Sequence, residues 1–211
     1  ELNHVRVQDE HEEAILLTST SVELAADGRY GYHGFDLGGG LVRHELHAEL
    51  AGSGAFADLA GACVLDGSRH ADTRVSVDHA APDCSSEQLF RTVLGGRSRG
   101  VFNGRALIRK GADGSSVQQS NANLLLSRLA EMDAKPELEI YADEVVASHG
   151  ATVGQLDETA VFYLRSRGLS DAEARRILTA AFCHAVTSRL EDRDLAEKIG
   201  EMVDAAMPEA T

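Results

Sequence analysis

Over its first three quarters the chain alternates apolar and polar residues with a period of two. Runs such as Leu41-Val42-Arg43-His44-Glu45-Leu46-His47-Ala48-Glu49-Leu50 and Thr73-Arg74-Val75-Ser76-Val77-Asp78-His79 put every second side chain on one face of an extended strand. Turn-forming stretches punctuate these runs: Asp27-Gly28, Asp66-Gly67, Asp113-Gly114, Gly38-Gly39-Gly40 and Gly95-Gly96. Of the 20 glycines, 18 precede residue 157, so the turns are concentrated in residues 1–156, which are predicted to be all-β. Many short strands with no helical period between them suit a sandwich, a barrel or a β-solenoid. Asn103, Gln118, Gln119, Asn121 and Asn123 lie inside strand-like runs, which leans toward the solenoid, because stacked coils can pair such amides in ladders. No clean repeat is visible.

After Gln155 the period becomes helical. Ala160, Val161 and Leu164 share one face of a first segment, which Gly168 closes in the left-handed conformation. Ser170 followed by Glu173 forms a capping box that starts a second helix, with the stripe Ile177, Leu178, Ala181, Phe182, Ala185, Val186 and Leu190 predicted to be its buried face. A third helix carries Leu195, Ile199, Met202, Val203 and Ala206. Residues 157–211 thus form a small helical unit, near the size at which a lone core is marginal, and it is expected to lean on the β-region or on a partner.

Charge narrows the partners. Twenty basic residues against 34 acidic ones give a net charge of −14, which repels nucleic acid and acidic membrane surfaces. Cys63, Cys84 and Cys183 are odd in number and far apart, with no CxxC spacing, as in a chain from a reducing compartment. No apolar run is long enough to span a bilayer, so a cytoplasmic location is expected, and the alanine- and arginine-rich composition points to a bacterial source, with a plastid protein stripped of its transit peptide as the alternative. The chain starts without methionine and reads as strand almost at once, as a piece of a longer protein would.

Three segments carry a family resemblance: Pro136-Glu137-Leu138-Glu139-Ile140-Tyr141-Ala142-Asp143-Glu144-Val145, Ser148-His149-Gly150-Ala151-Thr152-Val153-Gly154-Gln155-Leu156-Asp157, and Phe162-Tyr163-Leu164-Arg165-Ser166-Arg167-Gly168. With Val101-Phe102-Asn103-Gly104-Arg105, Gln118-Gln119-Ser120-Asn121, Asn123-Leu124-Leu125-Leu126-Ser127, His70, Asp72, Thr73, His79 and Cys84-Ser85-Ser86, the chain resembles the SufB/SufD family of iron–sulfur cluster assembly scaffolds, on the SufD side, over nearly its whole length. The resemblance implies a right-handed parallel β-helix followed by a C-terminal helical domain. It also implies a non-catalytic subunit that pairs with a SufB-like chain and docks a SufC-like ABC-type ATPase. The chain has no GxxxxGK[ST] motif of its own, so ATP chemistry belongs to that partner. A transient iron–sulfur cluster is expected in the heteromeric complex and none in the isolated chain. Without its partner the chain is expected to form a homodimer, because an exposed β-edge is a template for another.

By the same resemblance, His149 is the residue of cluster assembly at the subunit interface, acting with a cysteine of the partner. A neutral imidazole can ligate iron, and a thiolate from another chain would complete a mixed site. Many family members carry a cysteine two residues earlier; here that position is Ala147, which leaves His149 the one candidate ligand of its segment. Read from the residues alone, His149 could equally cap a turn before Gly150.

Phe162, Tyr163, Arg165 and Arg167 fall where the resemblance places ATPase docking, although Phe162 could instead close the helical core. Strand alternation separates His44 from Glu45, His47 and Glu49, which disfavours a metal site built from all four and with it a cupin-like enzyme. The cysteines read as buried small apolar groups, Cys84 being the one expected to be exposed. Arg91, Arg97, Arg99, Arg105, Arg109 and Lys110 form a run free of acids, either a partner-facing patch or one charged face of successive strands. The alternative function, a β-helix lyase or hydrolase acting on carbohydrate, would need clustered acids beside a basic group.

Overall fold

The computed structural model describes residues 1–208. Among them the chain runs through β1 (Leu2–Gln8), β2 (Ile15–Leu24), β3 (Arg29–Asp36), β4 (Leu41–Leu50), β5 (Phe56–Leu65), β6 (His70–His79), β7 (Ser85–Leu94), β8 (Arg99–Ile108), β9 (Ser116–Leu125), β10 (Glu131–Ile140) and β11 (Val146–Gly154). It ends in α1 (Glu158–Ser166), α2 (Asp171–Thr187) and α3 (Arg193–Ala205). Odd strands form one sheet in the order β1-β3-β5-β7-β9-β11, and even strands a second, β10-β8-β6-β4-β2. Every neighbouring pair is parallel, so the chain is a β-helix of about five turns in which each coil contributes one strand to each sheet.

Of the three architectures the strand pattern allows, the solenoid is the one formed. Register partners lie from 26 residues apart, as Ile15 and Leu41 do, to 32 apart, as Arg99 and Glu131 do. That drift in coil length is why no fixed repeat shows in the sequence.

Alternation divides each strand between lumen and exterior. In the lumen Phe90 and Phe102 meet at 5.0 Å, and a Cβ on Gly61 would come within 2.7 Å of the Phe90 ring. Tyr32 stacks on His44 at 5.4 Å. Of the amides expected to form ladders, Gln119 does so, donating from Nε2 to Oε1 of Gln88 at 2.8 Å across one coil. Asn121 and Asn123 instead pair within their strand at 2.7 Å. Asn103 bonds Glu137, and Gln118 is exposed.

The exterior of the odd-strand sheet is apolar over Phe35, Ala60, Ala62, Val64 and Val93. It is covered by Cys183 and Val186 of α2, Leu190 just beyond, and Ile199 and Val203 of α3. Arg189 ties this layer down by ion pairs to Asp58 and, at 2.7 Å, to Glu87.

The expected capping box is present: Ser170 N–H donates to Glu173 at 2.8 Å, and Glu173 N–H to Ser170 Oγ at 3.3 Å. Gly168 has φ +99°. The predicted α2 stripe needs correction, because Ile177 is 47% exposed and Ala181 is also exposed. Ile177 and Ala181, four residues apart, share the face of α2 turned away from its buried residues Thr179, Cys183, Val186 and Thr187.

Candidate functional site

The β-helix ends at two edge strands, β10 of one sheet and β11 of the other. Edge strands present unpaired backbone N–H and C=O groups to any chain that can align with them. Around these edges Ile140 (41%), Tyr141 (65%), Val146 (68%) and Val153 (48%) are exposed.

His149 lies in the middle of β11, in ladder register with Gln119 of β9, and not at a turn. Gln119 in turn registers with the lumenal Gln88. Side chains in register on parallel strands share a face, so His149 belongs to the lumenal column, exposed because β11 is the last strand of its sheet. Ala147 occupies the same face two residues earlier.

Beneath His149, Gln119 is 5% and Gln88 2% exposed, and Gln119 Oε1 has no hydrogen-bond partner. This column was not evident from sequence, because its members stand about thirty residues apart on coils of unequal length. The one available signal was the set of amides inside β-runs.

Two lumenal histidines, His44 and His79, are held by hydroxyl groups. His44 is buried with Nδ1 2.6 Å from Thr18 Oγ1, and burial pushes its pKa down to about 4. His79 is buried with Nε2 2.8 Å from Ser86 Oγ, and it too falls to about 4 through burial. Glu45 faces the exterior and pairs with Arg43, so the alternation that separates it from His44 holds. Among the described residues no three His, Cys, Asp or Glu side chains converge to hold a metal ion.

All three cysteines are buried thiols. Cys84 corrects the expectation of exposure, being 0% exposed. The left-handed Asp83 (φ +57°) turns the chain so that the Cys84 Sγ lies 3.3 Å from the Gly52 carbonyl oxygen of the preceding coil.

Three of the six cations of the run are paired with acids from other coils. Arg99 pairs with Asp133 at 2.6 Å, Arg105 with Glu139 at 2.7 Å and Arg109 with Glu49 at 3.2 Å. Arg91 sits over the Phe182 ring.

On α1, Phe162 is 71% and Tyr163 57% exposed, while Val161 is buried, so Val161 and not Phe162 closes the helical core. Arg167 lies 5.2 Å from the Tyr163 ring centroid and donates to its hydroxyl at 3.2 Å; Arg165 pairs with Asp171 at 3.2 Å. All four stand on or just past α1, which packs on α2, with the aromatic pair open to solvent. Ile177 is a further exposed apolar residue of the helical layer, missed in the sequence because its stripe was assigned to the core.

By architecture the chain is a parallel β-helix protein with a helical layer on one sheet and an open end lined by edge strands. The family described as SUF system FeS cluster assembly, SufBD core domain, matches residues 1–182. The chain belongs to the SufBD family of iron–sulfur cluster assembly proteins, as a homologue of SufD.

It is 34% identical to the iron-sulfur cluster assembly protein SufD of Escherichia coli over 207 residues, covering 98% of this chain and 49% of that protein. A SufBD family protein of Synechocystis is 32% identical over 96% of this chain and 45% of its own length. The chloroplastic protein ABCI7 of Arabidopsis thaliana is 29% identical over 93% of this chain and 42% of its own. The chain spans about half the length of these relatives. Among the described residues no helix is long and apolar enough to cross a membrane.

Proposed function

We propose that this chain is a scaffold subunit for iron–sulfur cluster assembly in the cytoplasm, without turnover of its own. The β-helix core, 1–156, pairs through its open end with a SufB-like subunit, and the helical unit, 157–211, docks a SufC-like ABC-type ATPase. The observation that carries this reading is the position of His149, lumen-facing and exposed on an edge strand, where a second chain must approach to pair. One imidazole supplies at most one ligand to a cluster that needs several, so the thiolate of a partner cysteine fits as its complement. Exposed Ile140, Tyr141, Val146 and Val153 supply apolar area for that contact. Left without the partner, the same edges pair two copies of this chain.

The test is co-purification with a SufB-like subunit and a SufC-like ATPase, followed by anaerobic cluster reconstitution read by visible absorption. His149→Ala is expected to leave the complex intact and to reduce the cluster formed at least tenfold. Undiminished cluster formation would overturn the role of His149.

Docking is tested on α1. Phe162 and Tyr163 are exposed aromatic anchors, and such residues commonly contribute ~2 kcal/mol or more each at an interface. Phe162→Ala with Tyr163→Ala is expected to weaken ATPase binding by a factor of about 100 or more in titration calorimetry. The unfolding midpoint should hardly change, because neither side chain is buried. Wild-type affinity in the double variant would move the dock elsewhere.

A further inference from the structure

We propose that Gln119 is the positioning residue of His149, accepting a hydrogen bond from one ring N–H and leaving the lone pair of the other ring nitrogen turned to the open end of the β-helix. The inference rests on the reading of His149 as the cluster-facing residue and adds a mechanism for how the imidazole is presented.

The geometry points to it in three steps. First, Gln88, Gln119 and His149 stand in register on β7, β9 and β11, so their side chains follow one another along the lumen at the spacing of adjacent strands, about 4.8 Å. Second, the Gln119 amide has a direction. Its NH2 group is committed to Gln88 Oε1 at 2.8 Å, so its carbonyl is the end left for the next coil. That oxygen is buried and has no partner, an unfavourable condition unless a donor is found. The next residue in the column is His149, which in its neutral form carries one N–H donor and one lone pair. Third, the surroundings leave room for the amide in this rotamer: a Cβ on Gly104 would fall 2.5 Å from Gln119 Nε2, and glycine there leaves that space open.

A histidine that ligates a metal through one nitrogen commonly has the other held by a hydrogen bond, which fixes both tautomer and ring plane. Gln119 Oε1 has no partner in the structure, so the bond forms when the exposed His149 ring turns inward over it. Gln88, whose Oε1 anchors the Gln119 amide, would hold the arrangement from one coil further in.

The experiment uses the full chain labelled with ¹⁵N in the histidine rings, with His149→Ala identifying the His149 signals in two-bond proton–nitrogen spectra. The wild-type ring is expected in one neutral tautomer with a protected N–H. Gln119→Glu gives up the NH2 donor to Gln88 but retains an acceptor toward His149, and should keep the ring N–H protected. Gln119→Leu removes it, and should give a mixture of tautomers and ring N–H exchange roughly five- to tenfold faster, as for loss of one hydrogen bond.

Identical His149 spectra in the wild type and Gln119→Leu would overturn the proposal. The buried His44 and His79 rings report whether the lumen stays intact. If Gln119→Leu disturbs them, Gln119→Glu decides alone, and loss of N–H protection there with His44 and His79 unmoved also overturns it. Cluster formation by the His149→Ala complex tests the underlying reading separately, so either can fail without the other.

Discussion

A chain that ends at Gln155 is expected to aggregate and not to persist as a soluble β-helix. Cutting there removes Cys183, Val186, Leu190, Ile199 and Val203, and uncovers Phe35, Leu37, Ala60, Ala62, Val64 and Val93 on the outer face of the odd-strand sheet. At about 25 cal/mol per Å² of apolar surface, re-exposing a cluster of this size costs on the order of 5–10 kcal/mol. That is comparable to the whole stability of an ordinary domain. The same cut frees Asp58 and Glu87 from Arg189.

Light scattering of the shortened chain should show polydisperse assemblies. In the intact chain Ile199→Ala, at a fully covered position, should lower stability by about 2–5 kcal/mol in urea unfolding. A monodisperse shortened chain with an unchanged urea midpoint would mean that the helical layer contributes little to the fold. The consequence for design is direct: removing the helices cannot test ATPase docking, because loss of binding would accompany loss of the fold. Substitution of the exposed Phe162 and Tyr163 avoids that confusion.

Lowering the pH from 6.5 toward 4 should destabilise the protein steeply. Burial brings His44 and His79 each to a pKa of about 4 in the folded chain, against about 6.5 unfolded. Burial also lowers His33, neither of whose ring nitrogens has a partner. The sign follows from proton binding. Between the two values the unfolded chain takes up a proton at each histidine and the native chain does not, so stability is full above pH 6.5 and falls with pH through this window.

Each of His44 and His79 contributes roughly 2 kcal/mol of loss by pH 5 and about 3 kcal/mol by pH 4. Asp36 and Asp58, pushed up by burial, act in the opposite direction and offset part of the loss as they become protonated. Urea unfolding at pH 7 and pH 5 measures the effect, and His44→Leu should flatten the dependence by about one proton. Equal stability at the two pH values would show that the lumen admits a charged imidazole at little cost.

Local patterns were readable where neighbours in sequence are neighbours in space. The run Leu41–Leu50 is strand β4 residue for residue, Thr73–His79 lies within β6, and the alternation that sets His44 against Glu45 is the division between lumen and exterior. Ser170 and Glu173 cap α2 because a capping box needs only one helical turn to form. The placement of Ile177 and Cys84 failed for a common reason. Each is accessible or hidden according to what an element distant in sequence does or does not lay over it.

The sequence by itself determined the alternating strands, the change to helical period after Gln155, the caps, and through its ordered motifs the SufBD family. Only the tertiary structure decided that the acids answering Arg99, Arg105 and Arg109 come from other coils, and that α2 and α3 share a core with the odd-strand sheet. It also set His149 above a buried amide column at an open edge. The physical reason is the parallel coil: register brings together residues 26 to 32 positions apart, and because that step varies along the chain, no fixed period announces the pairing.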